Sequence, residues 1–432
     1  MAGLSRRHFN TLVGASALST LPLPAIATNH KAELPNPIGP RVVIVGGGWS
    51  GLSIAKYLGE ADRNIDVVLI ERRKFFHSLP LSNLWIGGLL PQSKLTYRFE
   101  DAAKLGGYTY FNASMTDLDR NKRRVETDQG WIDYDYLVLA PGVDYDYGSF
   151  GVKDPAAISA LKNKYPAGFV SVEEQLTLIK QLDRFEKGIF VLTAPPGIYR
   201  CAASPYERAC LIAATFKKRK LKAKVVLIDS REEPAVNGEG FLAAFEDLYG
   251  DVIEYRNSTG IEGVDPKSKT IKTDFDDIKF DGGAIYPRTR ASTLIERFGL
   301  NDPESPQKEA KIDPFNYNVI GDERVYVTGD CRPMPFSKSA SVANSEGKHV
   351  AKVIAARLQG REAKWVTPES VCYSMVNTRP QEAILSRSFY RFDSKTKQWA
   401  FDPKSKPYNI RSETFGREAH TWGDAHFREL FG

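Results

Sequence analysis

The chemistry of this 432-residue chain starts from four cysteines, Cys201, Cys210, Cys331 and Cys372. Two of them fall in one short stretch, "TAPPGIYRCAASPYERAC", Thr193 to Cys210. A thiolate is both a nucleophile and a leaving group, so a cysteine pair can take up and pass on two electrons. Four cysteines are too few for a structural disulfide framework in a chain of this length. One functional pair with two spectators is the expectation. The spacing leaves open whether Cys201 works with Cys210 or with a cysteine far away in sequence. Cys210 lies in "ERACLIA", inside an expected helix, and reads as a small buried hydrophobe.

The elements that must position these sulfurs are strand–turn–helix units. "RVVIVGGGWSGLSIAKYL" reads as strand, glycine turn and helix, and "DVVLIE" as the next buried strand. Gly46, Gly48 and Gly51 form G-x-G-x-x-G in the context that makes this motif specific. The first glycine permits the tight turn, the second lets a pyrophosphate approach the backbone, and the third packs helix on strand. The phosphate then meets a helix N-terminus, where free N–H groups favour an anion. Glu71, twenty residues after Gly51, closes the second strand and suits the ribose hydroxyls. Two later stretches favour FAD over NAD. "YLVLAPG", with Pro141 and Gly142, resembles the strand-turn that flanks FAD in flavoproteins with two dinucleotide domains. "VYVTGDCRPMP", with Gly329 and Asp330, resembles their second FAD motif and places Asp330 at the ribityl chain.

"GIFVLTAPPG" opens a second unit of the same kind, with "SPYERACLIAATFKKRK" as its helix and "AKVVLIDS" as its next strand. Its turn carries prolines and a cysteine where a pyrophosphate needs glycines. Proline removes N–H donors and stiffens the loop. This domain is therefore expected not to hold NAD, and an NAD(P)H disulfide reductase is disfavoured.

The bulk properties agree with a soluble multidomain protein. The net charge of +6 is mild and not gathered into a basic stripe, so nucleic acid is not an expected partner. "SRRHFN", a weakly apolar run and "AIA" at Ala25 to Ala27 read as a twin-arginine signal peptide over residues 1–27. Export places the mature chain in the periplasm, where disulfides persist. Residues 28–40 read as a linker. After the leader no apolar run is long enough for stable membrane insertion. None of the six histidines has metal-ligand spacing, so no metal is expected.

Taken together, "VVIVGGGWSG", "LSNLWIGG", "APPGIYRCAASPYERA", "GDCRPMPFSKSASVANSEGK", "VCYSMV" and the aromatic tail ending "LFG" resemble one family. This is the flavoprotein subunit of flavocytochrome c sulfide dehydrogenase, a relative of sulfide:quinone oxidoreductases and glutathione reductase. The resemblance implies a glutathione-reductase-like α/β flavoprotein with two dinucleotide-binding domains and a C-terminal mixed α+β domain. The expected parts are an FAD-binding domain at 41–165 and 276–358, a second Rossmann-like domain at 166–275 and an interface domain at 359–432. It implies that Cys201 and Cys372 form a redox disulfide beside the flavin, which hydrosulfide attacks so that two electrons pass to FAD. The electrons would leave to a c-type cytochrome, as a separate subunit or soluble partner, because the chain has no C-x-x-C-H motif.

The family often tethers FAD through a cysteine that Leu79 replaces here. Leucine makes no thioether, so FAD is expected to be noncovalent, with Leu79 against the ring edge. Lys338 would stabilise the anionic reduced flavin or stay solvated, and Glu207 would move a proton or only favour the helix end. His77 and Trp422 read mainly as packing groups, and Cys331 as a spectator beside the flavin or a third sulfur relay. The alternatives are a sulfide:quinone oxidoreductase and an accessory flavoprotein that reactivates a thiosulfate-oxidising complex.

Overall fold

The computed structural model describes residues 30–432. The expected leader, with Arg6, Arg7 and Ala25–Ala27, lies outside these residues. The β-branched run Arg41–Val45 is buried along its whole length and forms the centre of a six-stranded sheet. Strands buried on both faces read as continuous apolar runs, which is why this one is legible in sequence. The order across the sheet is Asn318–Val319, Asp322–Val327, Tyr136–Leu139, Arg41–Val45, Asp66–Ile70 and Thr109–Phe111. All neighbours are parallel except the first pair. The helices Trp49–Ala61 and Ala340–Leu358 pack on each other against this sheet. The glycine turn, the Pro141–Gly142 turn and the Gly329–Asp330 turn therefore emerge at the carboxyl ends of three neighbouring parallel strands, Arg41–Val45, Tyr136–Leu139 and Asp322–Val327, where open α/β sheets bind ligands.

A second sheet of four parallel strands runs Ile253–Arg256, Lys222–Asp229, Lys187–Ala194 and Gly282–Ala284. Gly282–Ala284 pairs with Phe190–Leu192, so the second domain continues beyond residue 275, where the sequence placed its end. The chain first leaves through a small antiparallel sheet, Ile261–Lys279, and then returns to complete the parallel one. No periodicity marks that return, because Gly282–Ala284 is only three residues long.

The C-terminal region is a set of antiparallel strands, Glu369–Thr378, Gln381–Asp393, Gln398–Phe401 and Lys406–Ser412, closed by the helix Glu413–Phe431. The expected linker is not free over its described part. Ala32 is buried, its N–H donates to Trp131 O at 2.9 Å, and Trp131 N–H donates to His30 O at 3.0 Å.

Candidate active site

A cavity of about 420 Å³ opens where the two FAD motifs, the second domain and the N-terminal turns of the helices Trp49–Ala61 and Ala340–Leu358 meet. Gly46, Gly48, Glu71, Leu79, Pro141, Gly142, Gly329, Asp330 and Lys338 all line it, together with Cys201. Gly51 lies behind this wall, where an added Cβ would come within 2.0 Å of Gly46 O. A Cβ on Gly48 would meet no protein atom, so its backbone faces open space. A long phosphate-bearing cofactor fits this cradle. Trp49 Nε1, buried on the same wall, has no protein partner and is available as a further donor.

Glu71 is more heavily engaged than a free ribose acceptor. Its carboxylate takes N–H donors from Gly47 at 2.9 Å and from Arg73 N, Nε and Nη2 at 3.0, 2.9 and 3.2 Å. Burial alone would raise its pKa, but these donors hold it below the ordinary carboxylate range. Ribose hydroxyls would have to share the carboxylate with Arg73, whose side chain is half exposed. Asp330 likewise already has a partner: its Oδ2 accepts from Arg200 Nε at 2.6 Å.

Cys201 sits on the cavity wall in the left-handed region, φ +57°, which few non-glycine residues adopt. Its N–H donates to Lys338 O at 2.9 Å, and its carbonyl accepts from Ser204 N–H at 2.8 Å at the start of the helix Ser204–Arg219. Cys372 is half buried on the strand Glu369–Thr378, which packs against that helix. Both are free thiols here. Burial, and then the charge of Cys372, push the Cys201 thiol up to about 12. Burial and Glu207 push Cys372 up to about 12. The two sulfurs therefore lie within electrostatic reach of each other, and Glu207 within reach of both.

Glu207 joins the two cysteine-bearing elements. Its Oε1 accepts from Met375 N–H at 2.8 Å, three residues beyond Cys372, and its Oε2 accepts from Asn83 Nδ2 at 2.7 Å. Burial raises this carboxyl to about 7 against the pull of those donors. Asn83 also donates to Ser204 Oγ at 2.7 Å and accepts from Arg208 Nε at 2.9 Å. Its role was hidden in the "LSN" stretch, since nothing local shows what an asparagine will meet across the fold.

Comparison with known proteins agrees with this layout. Residues 175–287 match the family "Sulfide dehydrogenase [flavocytochrome c] flavoprotein chain, central", and residues 40–163 match "Pyridine nucleotide-disulphide oxidoreductase". The chain is 26% identical over 355 residues to a type II NADH:quinone oxidoreductase of Staphylococcus haemolyticus, covering 77% of this chain and 87% of that protein. It superposes on the sulfide:quinone oxidoreductase of Aquifex aeolicus with a TM-score of 0.73 at 16% identity, over 91% of this chain and 92% of that one. NDH2 of Plasmodium falciparum superposes with a TM-score of 0.67 at 14% identity, over 91% and 97%. The chain is an FAD-dependent oxidoreductase. Its fold is that of the flavoproteins with two dinucleotide-binding domains.

The remaining residues of this flavoprotein can then be placed. Lys338 is neither solvated nor an unmatched cation. It is 2% exposed, and its Nζ donates to Glu309 Oε1 at 2.6 Å and to Asp330 O at 2.7 Å. The carboxylate of Glu309 balances its charge, so little of that charge is left for a reduced flavin. His77 lines the cavity and bonds Thr96 Oγ1 at 3.0 Å and Gln175 Oε1 at 2.8 Å. Burial lowers its pKa, which favours the neutral ring. Cys331 is fully buried, and its Sγ donates to Gly142 O at 2.8 Å. Cys210 is fully buried in the core of the second domain. Trp422 does not line the cavity; it stacks on His426 and packs on the core of the flavin domain.

The second dinucleotide domain is closed by its own side chains. Asp229, which ends the strand Lys222–Asp229 as Glu71 follows its counterpart, is 0% exposed. Tyr206 OH and Tyr255 OH donate to its Oδ2 at 2.5 and 3.2 Å, and Arg231 N and Nη1 donate to its Oδ1 at 3.0 Å each. Besides Asn83, the sequence reading missed Arg200 and this Tyr206–Asp229 cluster. The adjacency in "YRC" was the only signal for the first, and the acid closing "VVLID" the only one for the second.

Proposed function

We propose that this protein is the flavoprotein of a sulfide dehydrogenase, which oxidises sulfide through Cys201 and Cys372 and delivers the electrons to a c-type cytochrome in the periplasm. The observation that carries this reading is the position of Cys201. It lines the flavin cavity in the very loop where a second dinucleotide would otherwise be held. The match of residues 175–287 to the central part of a sulfide dehydrogenase flavoprotein supports it.

In the oxidised state the two cysteines would be bridged. Hydrosulfide attacks one sulfur, forms a new S–S bond as a cysteine persulfide, and expels the other cysteine as a thiolate. The sulfide sulfur is oxidised by two electrons and the cysteine disulfide is reduced by two. Bound FAD supplies the acceptor for that electron pair and a means of releasing electrons singly. Glu207, raised to about 7, is matched to taking the proton of the persulfide near neutral pH. Asn83 and Met375 N–H hold its carboxylate between the two cysteine-bearing elements. Leu79 offers no sulfur for a flavin tether, so acid precipitation of the holoprotein should release all the FAD into the supernatant.

The deciding experiment is anaerobic titration of the holoprotein with sulfide. The flavin should bleach and recover on addition of oxidised cytochrome c, and NADH should bleach nothing. Bleaching by NADH alone would replace this reading with a pyridine-nucleotide reductase.

A second reading is a sulfide:quinone oxidoreductase, favoured by the superposition on the Aquifex aeolicus enzyme. No helix among the described residues is long and apolar enough to cross a membrane. Recovery of bleached flavin with decylubiquinone but not with cytochrome c would select it. An accessory role, in which the chain binds and reactivates a thiosulfate-oxidising complex, would show as equal stimulation of that complex by Cys201→Ala.

A further inference from the structure

Arg200, the chain neighbour of Cys201, makes four contacts with the elements around it. Its Nε donates to Asp330 Oδ2 at 2.6 Å, in the second FAD motif, and its Nη1 donates to Phe169 O at 2.8 Å. Its carbonyl accepts from Tyr286 OH at 2.8 Å. The third arm, Nη2, lies against Gly142 on the cavity wall, where an added Cβ would be 2.9 Å away. Arg200 and Lys338 form a parallel β-bridge, which the Cys201 N–H to Lys338 O bond completes. The left-handed turn of Cys201 is thus held from both sides.

We propose that Arg200 is a positioning residue for Cys201, tying the cysteine's loop to the flavin motif and presenting a cation to the Cys201 thiolate. The inference rests on the thiol chemistry proposed above and extends it to a group that no motif marks. The other nearby cation, Lys338, is paired with Glu309 as Arg200 is with Asp330; Arg200 differs in being the chain neighbour of Cys201.

The groups facing Cys201 are Cys372 from the strand Glu369–Thr378, Asp330 from the FAD motif, Glu207 from the following helix, and Tyr199 and Tyr286. Burial raises the thiol first, and Cys372, Asp330 and Glu207 add to the rise. Arg200 is the group among these that pulls the other way. Lowering the cost of a thiolate here speeds both the attack on an electrophile and the departure of Cys201 from a disulfide.

The test is alkylation of the reduced, desalted FAD-loaded protein with iodoacetamide under anaerobic conditions. In that reaction the thiolate forms an S–C bond and iodide leaves. Modification of Cys201 and Cys372 is followed separately by peptide mass spectrometry between about pH 6 and pH 11, a range below a raised thiol midpoint in which the rate climbs with the thiolate fraction. In Arg200→Gln the Cys201 profile should move to higher pH, with a roughly tenfold lower rate at a fixed pH below the midpoint. Cys372 should keep its wild-type rate. Arg200→Lys, which keeps the charge, should stay within about threefold of wild type, roughly half of one pKa unit.

An unchanged Cys201 profile in Arg200→Gln would overturn the proposal, and so would an equal loss in the Lys and Gln variants. If only Arg200→Lys can be purified with FAD, a tenfold loss there overturns it and a wild-type profile supports it. Sulfide bleaching of the wild-type flavin, measured in parallel, keeps the two readings apart. A shifted profile without sulfide bleaching preserves the role of Arg200 and removes the sulfide substrate. Sulfide bleaching with an unshifted profile does the reverse.

Discussion

The two dinucleotide domains begin alike and end differently. In the first, the strand Arg41–Val45 passes through Gly46–Gly48 into a helix, and the acid after the neighbouring strand, Glu71, lines a cavity. In the second, the strand Lys187–Ala194 passes through residues 195–203 into the helix Ser204–Arg219, and the matching acid, Asp229, has no exposed surface. Tyr206, in the first turn of that helix, occupies an oxygen of Asp229 with its hydroxyl. One architecture thus builds a nucleotide site where glycine leaves backbone donors free, and a sealed wall where tyrosine and arginine consume the acid. The sealed domain gives its loop to Cys201.

The comparison can be broken most directly at the cysteines. Cys201→Ser and Cys372→Ser should each slow sulfide bleaching of the flavin by roughly a thousandfold or more, as expected for members of one covalent unit, with FAD content unchanged. Normal bleaching in either variant, followed by stopped-flow absorbance, would dissolve the contrast between the domains.

The glycine turn gives the next effect. Gly51→Ala would force a Cβ to within 2.0 Å of Gly46 O and should lower unfolding stability by about 1–3 kcal/mol in urea melts. Gly48→Ala meets no protein atom. It should leave the stability of the FAD-free protein unchanged while weakening FAD binding, measured by flavin fluorescence. Equal behaviour of the two variants would mean that the turn is only structural.

Glu207 tests the floor of the site. Its folded-state pKa, about 7, is raised by burial above the ordinary carboxyl value of 4.5, so the folded protein holds this proton more tightly than the unfolded chain. The resulting stabilisation is complete below about pH 4.5 and is lost as pH rises through about 7. Glu207→Gln should remove that dependence. Wild type should lose stability relative to the variant between those two pH values, by an amount on the order of 1–3 kcal/mol. Parallel urea-unfolding curves at both ends would show the carboxyl to be ordinary.

Tyr206→Phe is the mildest probe. It removes one donor from Asp229 but leaves Tyr255 and Arg231 in place. It should cost about 1 kcal/mol in thermal or urea unfolding and confer no reduction by NADH. Gain of NADH reduction would show Tyr206 alone to be the barrier.

What could be read in the sequence was whatever depends on near neighbours. The glycine turn, the buried strands at 41–45 and 66–70 and the proline-bearing loop before Cys201 follow from local pattern and backbone chemistry. The expectation that Cys201 pairs with the distant Cys372 came from family resemblance and not from spacing. The charge partners were illegible for the same reason. Lys338 meets Glu309, Asp330 meets Arg200, and Glu71 shares its carboxylate between Gly47 and Arg73 only once the strands are assembled. The end of the second domain was misplaced because Gly282–Ala284 is too short to carry a period.

The β-bridge between Arg200 and Lys338 also has a mechanical meaning. Any rotation that swung the second domain away from the first would tear out the Cys201 N–H to Lys338 O bond and the Arg200–Asp330 ion pair together. Enzymes that admit large substrates concentrate such motion in a few hinge residues left free to turn. Here the seam between the two halves is riveted beside the reacting sulfur. Traffic to Cys201 is then a matter of what fits a cavity whose walls do not swing apart, and size is screened before any chemistry begins.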